Sequence, residues 1–446
     1  LKQTQIKRVA IVGADFSPSS LPSALRLRFF AQHLEEFGWR PTVITTDPKY
    51  YEGEVDTENE RLLPPSLQVI RTPAFSSSWT RKVGLGDIGM RSLWYHWRAL
   101  VQLCRERKVD LIFITAPPHV PLILGRLIKM LYGIPYVLDY QDPWVTDYYW
   151  KLPRAQRPPK WALAYTLART LEPFALKRAD HIVTVSRGTS DSVMARYDWL
   201  KDSEPSEIPL GGETADFEYL RSHPRPATIF DPSDGLRHVS YVGAISQAMT
   251  PVVKAICLAL RAGLERAPEL FGRLRLHFVG TSYAANAEGE YKALPLAREA
   301  GVEHLVDERP ERVSYLDSLQ LLFDSHALIL IGSEEPHYTA SKIFPYILAQ
   351  QPLLAVFHEA SSVVSIMRET RAGHVVTYDS AAELESKTVE ISEEFERLLL
   401  LPPEYQPPTC WKAFEPYTTR AMSARLAEVF DKIVRYNNQE RFASRA

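Results

Sequence analysis

Short runs of aliphatic and β-branched residues alternate with longer amphipathic segments, and they do so in two separate blocks of the chain. In the first block "RVAIVG" (8–13), "PTVITT" (41–46), "DLIFIT" (110–115), "PYVLDY" (135–140) and "HIVTVS" (181–186) read as strands. In the second, "HVSYVG" (238–243), "RLHFVG" (275–280), "ALILIG" (327–332) and "PLLAVF" (352–357) do the same. Strands apolar throughout their length are buried on both faces, the condition of a parallel sheet covered by helices. Two open α/β sheets are implied. A chain of 446 residues is long enough for two domains of about 200 residues each. The Pro-, Gly-, Ser- and Asp-rich stretch at 206–235 reads as the hinge between them.

The same pattern excludes several classes. With 52 basic and 54 acidic residues the chain lacks the positive charge that nucleic acid requires. Its longest apolar region is interrupted by Pro117, Pro118, Pro121, Arg126 and Lys129, so it falls short of the roughly 20 apolar residues of a membrane span. Cys104, Cys257 and Cys410 show neither pairing nor metal-ligand spacing, and a reducing, cytoplasmic setting is expected. Any membrane contact is then peripheral, at the inner face. The sequence carries no GxGxxG, Walker, GxSxG or HExxH motif, so dinucleotide binding, nucleotide hydrolysis, α/β-hydrolase chemistry and zinc proteolysis lack their parts.

In open α/β sheets ligands sit beyond the carboxyl ends of the strands, and several loops there carry chemistry. "GAISQAMTPVVKAICLAL" follows a strand with Gly243 and places Thr250 as helix N-cap before Pro251. "GADFSPSSLPSAL" offers Ser17, Ser19, Ser20 and Ser23. His119 lies in the Pro-rich "TAPPHVP", and "DYQDPWVTDYYWKLPRAQRPPKW" crowds Asp142, Trp144, Tyr148, Tyr149 and Trp150 among cations. Aromatic and basic side chains together suit sugar stacking or an anionic interface.

These segments, with "PSALRLRFFAQHLEEFGWRPTVITTD", "RADHIVTVSRG", "IPLGGETADFEYL" and "ILIGSEEPHYTASKIFPYILAQQPLLAV", stand in an order and spacing that resembles GT-B glycosyltransferases of family 4, over residues 8–376. The resemblance implies two Rossmann-like domains with a cleft between them. Residues 1–206 are then an acceptor-binding domain, 207–415 a nucleotide-sugar-binding domain, and 416–446 a helix returning to the first. It implies retaining, metal-independent sugar transfer from a UDP- or GDP-sugar to a glycan, lipid-linked or small-molecule acceptor, with no other cofactor. Carried onto this sequence, it assigns His119, His337 and Asp142 to catalysis. Gly243, Ser341, Lys342, Glu335, Glu359, Ser19 and Ser20 fall to the donor, and Trp144, Tyr148, Tyr149 and Arg26 to the acceptor. Family members carry Glu-x7-Glu where this chain has His337 and Pro345, and Arg where it has Ala244. These departures keep a second reading open, a non-catalytic relative that serves as a binding or scaffolding subunit. A GT-B epimerase acting on a nucleotide-sugar is a third. Proline is tolerated at the start of a helix, so the helix after Lys342 is expected to begin at Pro345, leaving 340–344 as an irregular anion nest.

Overall fold

The computed structural model describes residues 6–443, except 53–54, 84–85, 152, 155–156, 158–159, 283–289, 336–337 and 339; the side chains of 83, 148, 151 and 438–443 are also outside the description. The chain divides into two units, Leu1–Leu210 with Thr419–Ala446, and Gly211–Thr418.

Unit 1 holds a seven-stranded parallel sheet. Its strands are β1 (Lys7–Val12), β2 (Trp39–Thr46), β3 (Gln68–Thr72), β4 (Leu111–Ala116), β5 (Tyr136–Tyr140), β6 (His181–Thr184) and β7 (Ser206–Glu207), in the order β3-β2-β1-β4-β5-β6-β7. The final helix, Thr419–Ala443, packs on the helix Pro22–His33. Phe430 meets Trp39 edge-on at 5.2 Å, and the Trp39 indole N–H donates to Asp431 at 2.8 Å. Burying a ring such as Phe430 contributes about 1.5–3 kcal/mol, and the helix is thereby a fixed part of this unit.

Unit 2 holds a six-stranded parallel sheet. Its strands are β8 (Arg237–Val242), β9 (Leu274–Val279), β10 (Val306–Arg309), β11 (Ala327–Ile331), β12 (Leu353–His358) and β13 (His374–Tyr378), in the order β10-β9-β8-β11-β12-β13. Residues 211–235, expected to be hinge, belong to this unit. Thr214–Ser222 is a helix, Phe230 stacks on His238 at 3.9 Å, and Arg309 donates to the Ile229 carbonyl at 2.7 Å. The chain crosses between units at 210–211 and 418–419.

In both sheets the strand order reverses once, between β1 and β4 in unit 1 and between β8 and β11 in unit 2. Loops leaving adjacent strands in opposite directions open a crevice at that point, the place where α/β sheets bind ligands.

Candidate functional site

In unit 2 the reversal brings together the loop after β8, which begins at Gly243, and the loop after β11, which ends at Lys342. Gly243 adopts φ +133°, and a Cβ there would lie 2.1 Å from the Lys342 amine. Glycine is required on both counts. The amine rests over the Tyr241 ring at 4.6 Å, donating to the Tyr241 hydroxyl at 2.7 Å and to the Ala244 carbonyl at 3.3 Å. Burial of the ammonium lowers its pKa from 10.5 to about 7, since desolvation disfavours the charged form. The seat is braced from below. The Val242 N–H donates to the Tyr346 hydroxyl at 2.7 Å, the Glu334 N–H to the Ala248 carbonyl at 3.0 Å, and the Tyr378 hydroxyl to the Ser333 carbonyl at 3.0 Å.

Two local expectations are corrected. The helix after Lys342 spans Ile343–Ala349, with Lys342 as its N-cap and Pro345 as its third residue. A helix's first N–H groups have no intrahelical acceptor, so proline at that position costs no bond, and the turn at Ser341–Lys342 takes the place of an irregular nest. Thr250 is not an N-cap. It is the first residue of Thr250–Arg266, and the cap residue Met249 continues from the 3-10 turn Gln247–Met249, whose own N-cap is Ser246.

The other residues assigned to the donor lie as follows. Ser341 and Glu335 are exposed at this loop, the Glu335 N–H being held by the Ser333 hydroxyl at 2.9 Å. Glu359 is engaged by Arg368 at 2.7 Å, and that hydrogen bond holds its pKa below the ordinary 4.5. His337 lies outside the described residues. Ser19 and Ser20 belong to unit 1. Ser19 is buried, and its hydroxyl accepts the Leu21 N–H at 3.3 Å.

In unit 1 the loop after β1 holds a carboxylate that sequence reasoning passed over. Asp15 is 6 % exposed, and Ser23 donates to both its oxygens, at 3.2 and 3.0 Å. Burial, with a smaller push from the nearby Asp87 charge, raises its pKa from 3.8 to about 6. Its only sequence signal was an acid directly after an apolar strand.

His119, on the loop after β4, donates from Nε2 to the Asp142 carbonyl at 2.9 Å and stacks on Trp144 at 5.7 Å. The carbonyl accepts only, which fixes the N–H on Nε2 and leaves Nδ1 as the acceptor. Burial lowers the His119 pKa, so the ring is neutral. Asp142 and His119 therefore meet, but through the Asp142 backbone. Trp144 belongs to the same stack. Tyr149 lies 6.5 Å from Trp161 in an aromatic cluster with Trp150 and Tyr165, with Arg157 at 5.2 Å over the Trp161 ring. Tyr148 begins the short helix Tyr148–Lys151. Arg26 is corrected from acceptor contact to core: it is 1 % exposed, forms a two-pronged ion pair with Asp139 at 2.8 and 2.7 Å, and donates to the Pro209 carbonyl at 3.1 Å. Thr115 donates to the same carboxylate at 2.6 Å and Gln141 to Thr115 at 3.1 Å, so Arg26 fixes the ends of β4 and β5. Among the described residues no group of His, Cys, Asp and Glu is arranged to hold a metal ion.

The glycosyl transferase 4-like domain model matches residues 24–198, within unit 1. Over that stretch the chain is similar to glycosyl transferase 4-like domains. No curated protein matches the sequence significantly. Solved structures match over nearly the whole length. A glycosyltransferase from Rickettsia africae ESF-5 superposes with TM-score 0.56 at 12% identity, covering 96% of this chain and 98% of that one. A UDP-forming α,α-trehalose-phosphate synthase from Burkholderia xenovorans gives 0.54 at 11% identity, covering 96% and 98%. The N-terminal domain of trehalose-6-phosphate phosphatase from Candida albicans gives 0.57 at 12% identity, covering 95% and 96%. At such identities the likeness concerns the fold alone. That fold is GT-B: the segment that matches the glycosyl transferase 4-like model lies in unit 1, and unit 2 is the second Rossmann-like domain.

Proposed function

We propose that the chain is a glycosyltransferase that moves a sugar from a nucleotide-sugar to an acceptor hydroxyl with retention and without a metal ion. The observation that carries this reading is the Lys342 amine seated over Gly243, at the strand-order reversal of unit 2. An amine already desolvated regains favourable interactions when a diphosphate supplies the missing counter-charge, and the same charge stabilises the leaving group. Ser341 and Glu335, exposed on the same loop, are the nearest groups for the rest of the donor. In the transfer the bond from the sugar's anomeric carbon to the donor phosphate oxygen breaks, and the acceptor oxygen bonds to that carbon on the same face. The acceptor proton passes to the departing phosphate.

The acceptor is assigned to unit 1, to the His119–Trp144 stack and the Tyr149–Trp161 cluster. That unit exposes Trp79, Trp94, Met130, Leu131, Trp150 and Leu163, and no described helix is long and apolar enough to cross a membrane. Such side chains suit a headgroup interface, which supports a lipid-carried acceptor met at the inner face of a membrane. The UDP-forming neighbour favours UDP over GDP as the donor base.

The test is thermal denaturation with UDP, GDP and their sugars at millimolar concentration, where specific binding raises apparent stability by mass action. UDP should protect the wild type and leave Lys342→Ala unprotected. Protection of both alike would move the donor away from Lys342. The second reading, a binding subunit, draws on Pro345 in place of a carboxylate. A Glu at that position would add a charge-assisted hydrogen bond to the ribose, worth roughly 1.5–3 kcal/mol, so Pro345→Glu should tighten UDP binding about ten- to a hundredfold. If no nucleotide binds either protein, the subunit reading stands.

A further inference from the structure

At the amino ends of β12 and β13, the opposite edge of the sheet from Gly243, unit 2 contains a cavity of about 640 Å³. Its floor includes Leu353, Met367 and Leu398, each no more than 2 % exposed. Its rim carries Arg368, Arg371 and Arg397, and no acidic residue lines it. Two of the rim arginines carry ion pairs: Glu359 pairs with Arg368 at 2.7 Å, and Glu394 pairs with Arg397 at 2.7 Å and with His374 at 3.2 Å. These pairs fix two guanidinia in place. Arg371 makes no hydrogen bond or ion pair among the described residues. It ends the helix Ser362–Thr370 in the left-handed region, at φ +53°. Tyr405, Pro407 and Pro408 form the remaining wall, and their segment is anchored where the Cys410 N–H donates to the Thr370 carbonyl at 2.7 Å.

The geometry points to a second ligand site here, for an amphipathic anion: an acyl chain on the Leu353–Met367–Leu398 floor, with a terminal phosphate or carboxylate on Arg371. The two halves of the cavity together favour a ligand that is both apolar and anionic. A small inorganic anion leaves the apolar floor uncovered, and a neutral lipid leaves the guanidinium without a counter-charge. Arginine's planar fork matches phosphate and carboxylate in two-pronged geometry. The volume lies within the roughly 300–1,000 Å³ of small-molecule sites, too small for a folded partner. The site is independent of the donor reading, because none of its residues touches the Gly243–Lys342 seat.

The probe is decyl phosphate, titrated below its micelle-forming concentration and followed by calorimetry on the full chain, with decanol and inorganic phosphate as controls. Decyl phosphate should bind saturably while the controls do not. Arg371→Asn, which tolerates the left-handed backbone, should weaken it at least tenfold, and Leu400→Glu, which puts a like charge on the exposed rim, should do so as well. Lys342→Met should leave it unchanged. Equal binding by Arg371→Asn, or loss of binding in Lys342→Met, overturns the proposal, the latter by placing the ligand at the diphosphate seat. A free amphiphile and a bilayer lipid share this headgroup chemistry. Arg371-dependent flotation with phosphatidic acid vesicles, alongside binding of the monomer, makes a bilayer lipid the source, and monomer binding alone makes it a free amphiphile. Vesicle binding that ignores Arg371, without monomer binding, rejects the site.

Discussion

Replacing Lys342 by methionine should make the protein more stable at neutral pH while removing diphosphate binding. The side chain's folded pKa of about 7 lies below the 10.5 of an unperturbed lysine. The unfolded chain thus binds more protons between those values, and stability rises with pH across that window. At pH 7 the displacement corresponds to at most about 4 kcal/mol of destabilisation, about 3 at pH 8 and almost none above pH 11. Methionine keeps the length of the chain and removes this term. It also gives up the hydrogen bonds to Tyr241 and Ala244, worth about 1 kcal/mol each. The variant should gain about 2 kcal/mol at pH 7, lose the advantage near pH 9, and be the less stable protein at pH 10.

Urea denaturation of both proteins at pH 6, 7.5 and 9 measures this difference directly. A second readout isolates the proton. If a diphosphate restores the ammonium, UDP binding at pH 8 takes up about one proton, which appears as a dependence of the calorimetric heat on the buffer's ionisation enthalpy. A stability difference that is flat between pH 6 and 9, or UDP binding with no proton uptake, would refute the picture of a desolvated amine awaiting an anion.

Gly243→Ala should displace the Lys342 amine, since the new Cβ falls 2.1 Å from it at φ +133°; UDP affinity by calorimetry should drop at least tenfold, and an unchanged affinity would separate the two loops functionally. Asp15→Asn should stabilise unit 1 at high pH only. The carboxyl's pKa is raised from 3.8 to about 6, so stability present below 3.8 is lost as pH rises through 6, a cost of about 3 kcal/mol at pH 7. Melting curves should therefore favour the variant at pH 7.5 and match the wild type at pH 3.5. Arg26→Met should cost about 3–5 kcal/mol by stranding the Asp139 charge in the core, and Arg26→Met with Asp139→Leu should recover most of it in the same urea experiment.

The strands that the sequence pattern reveals are the interior ones, and those it conceals are the edges. β4 and β11 are buried at every position, and the continuous apolar run is the direct imprint of that burial. The strands without such a run, β3, β7, β10 and β13, are the four outer members of the two sheets. Their burial is partial, as one side of an edge strand faces no neighbour and tolerates Gln68, Glu207, Asp307 and His374. The site divides along a similar line. The loop at Gly243 draws notice because it follows an apolar strand, which is a local signal, whereas Ser341 and Lys342 enter only through the family resemblance. Tyr241 and Tyr346 are not legible, because their hydroxyls act on groups 101 and 104 residues away while their rings read as ordinary core. Arg26 fails for the opposite reason: its charge suggests a ligand, yet its partner Asp139 lies 113 residues on. Pro345 shows where local reasoning stops short even at close range. Its ring forbids one hydrogen bond, and that prohibition places it anywhere in the first helical turn. Only the turn at Ser341–Lys342, from which the helix continues at Ile343, selects the third position.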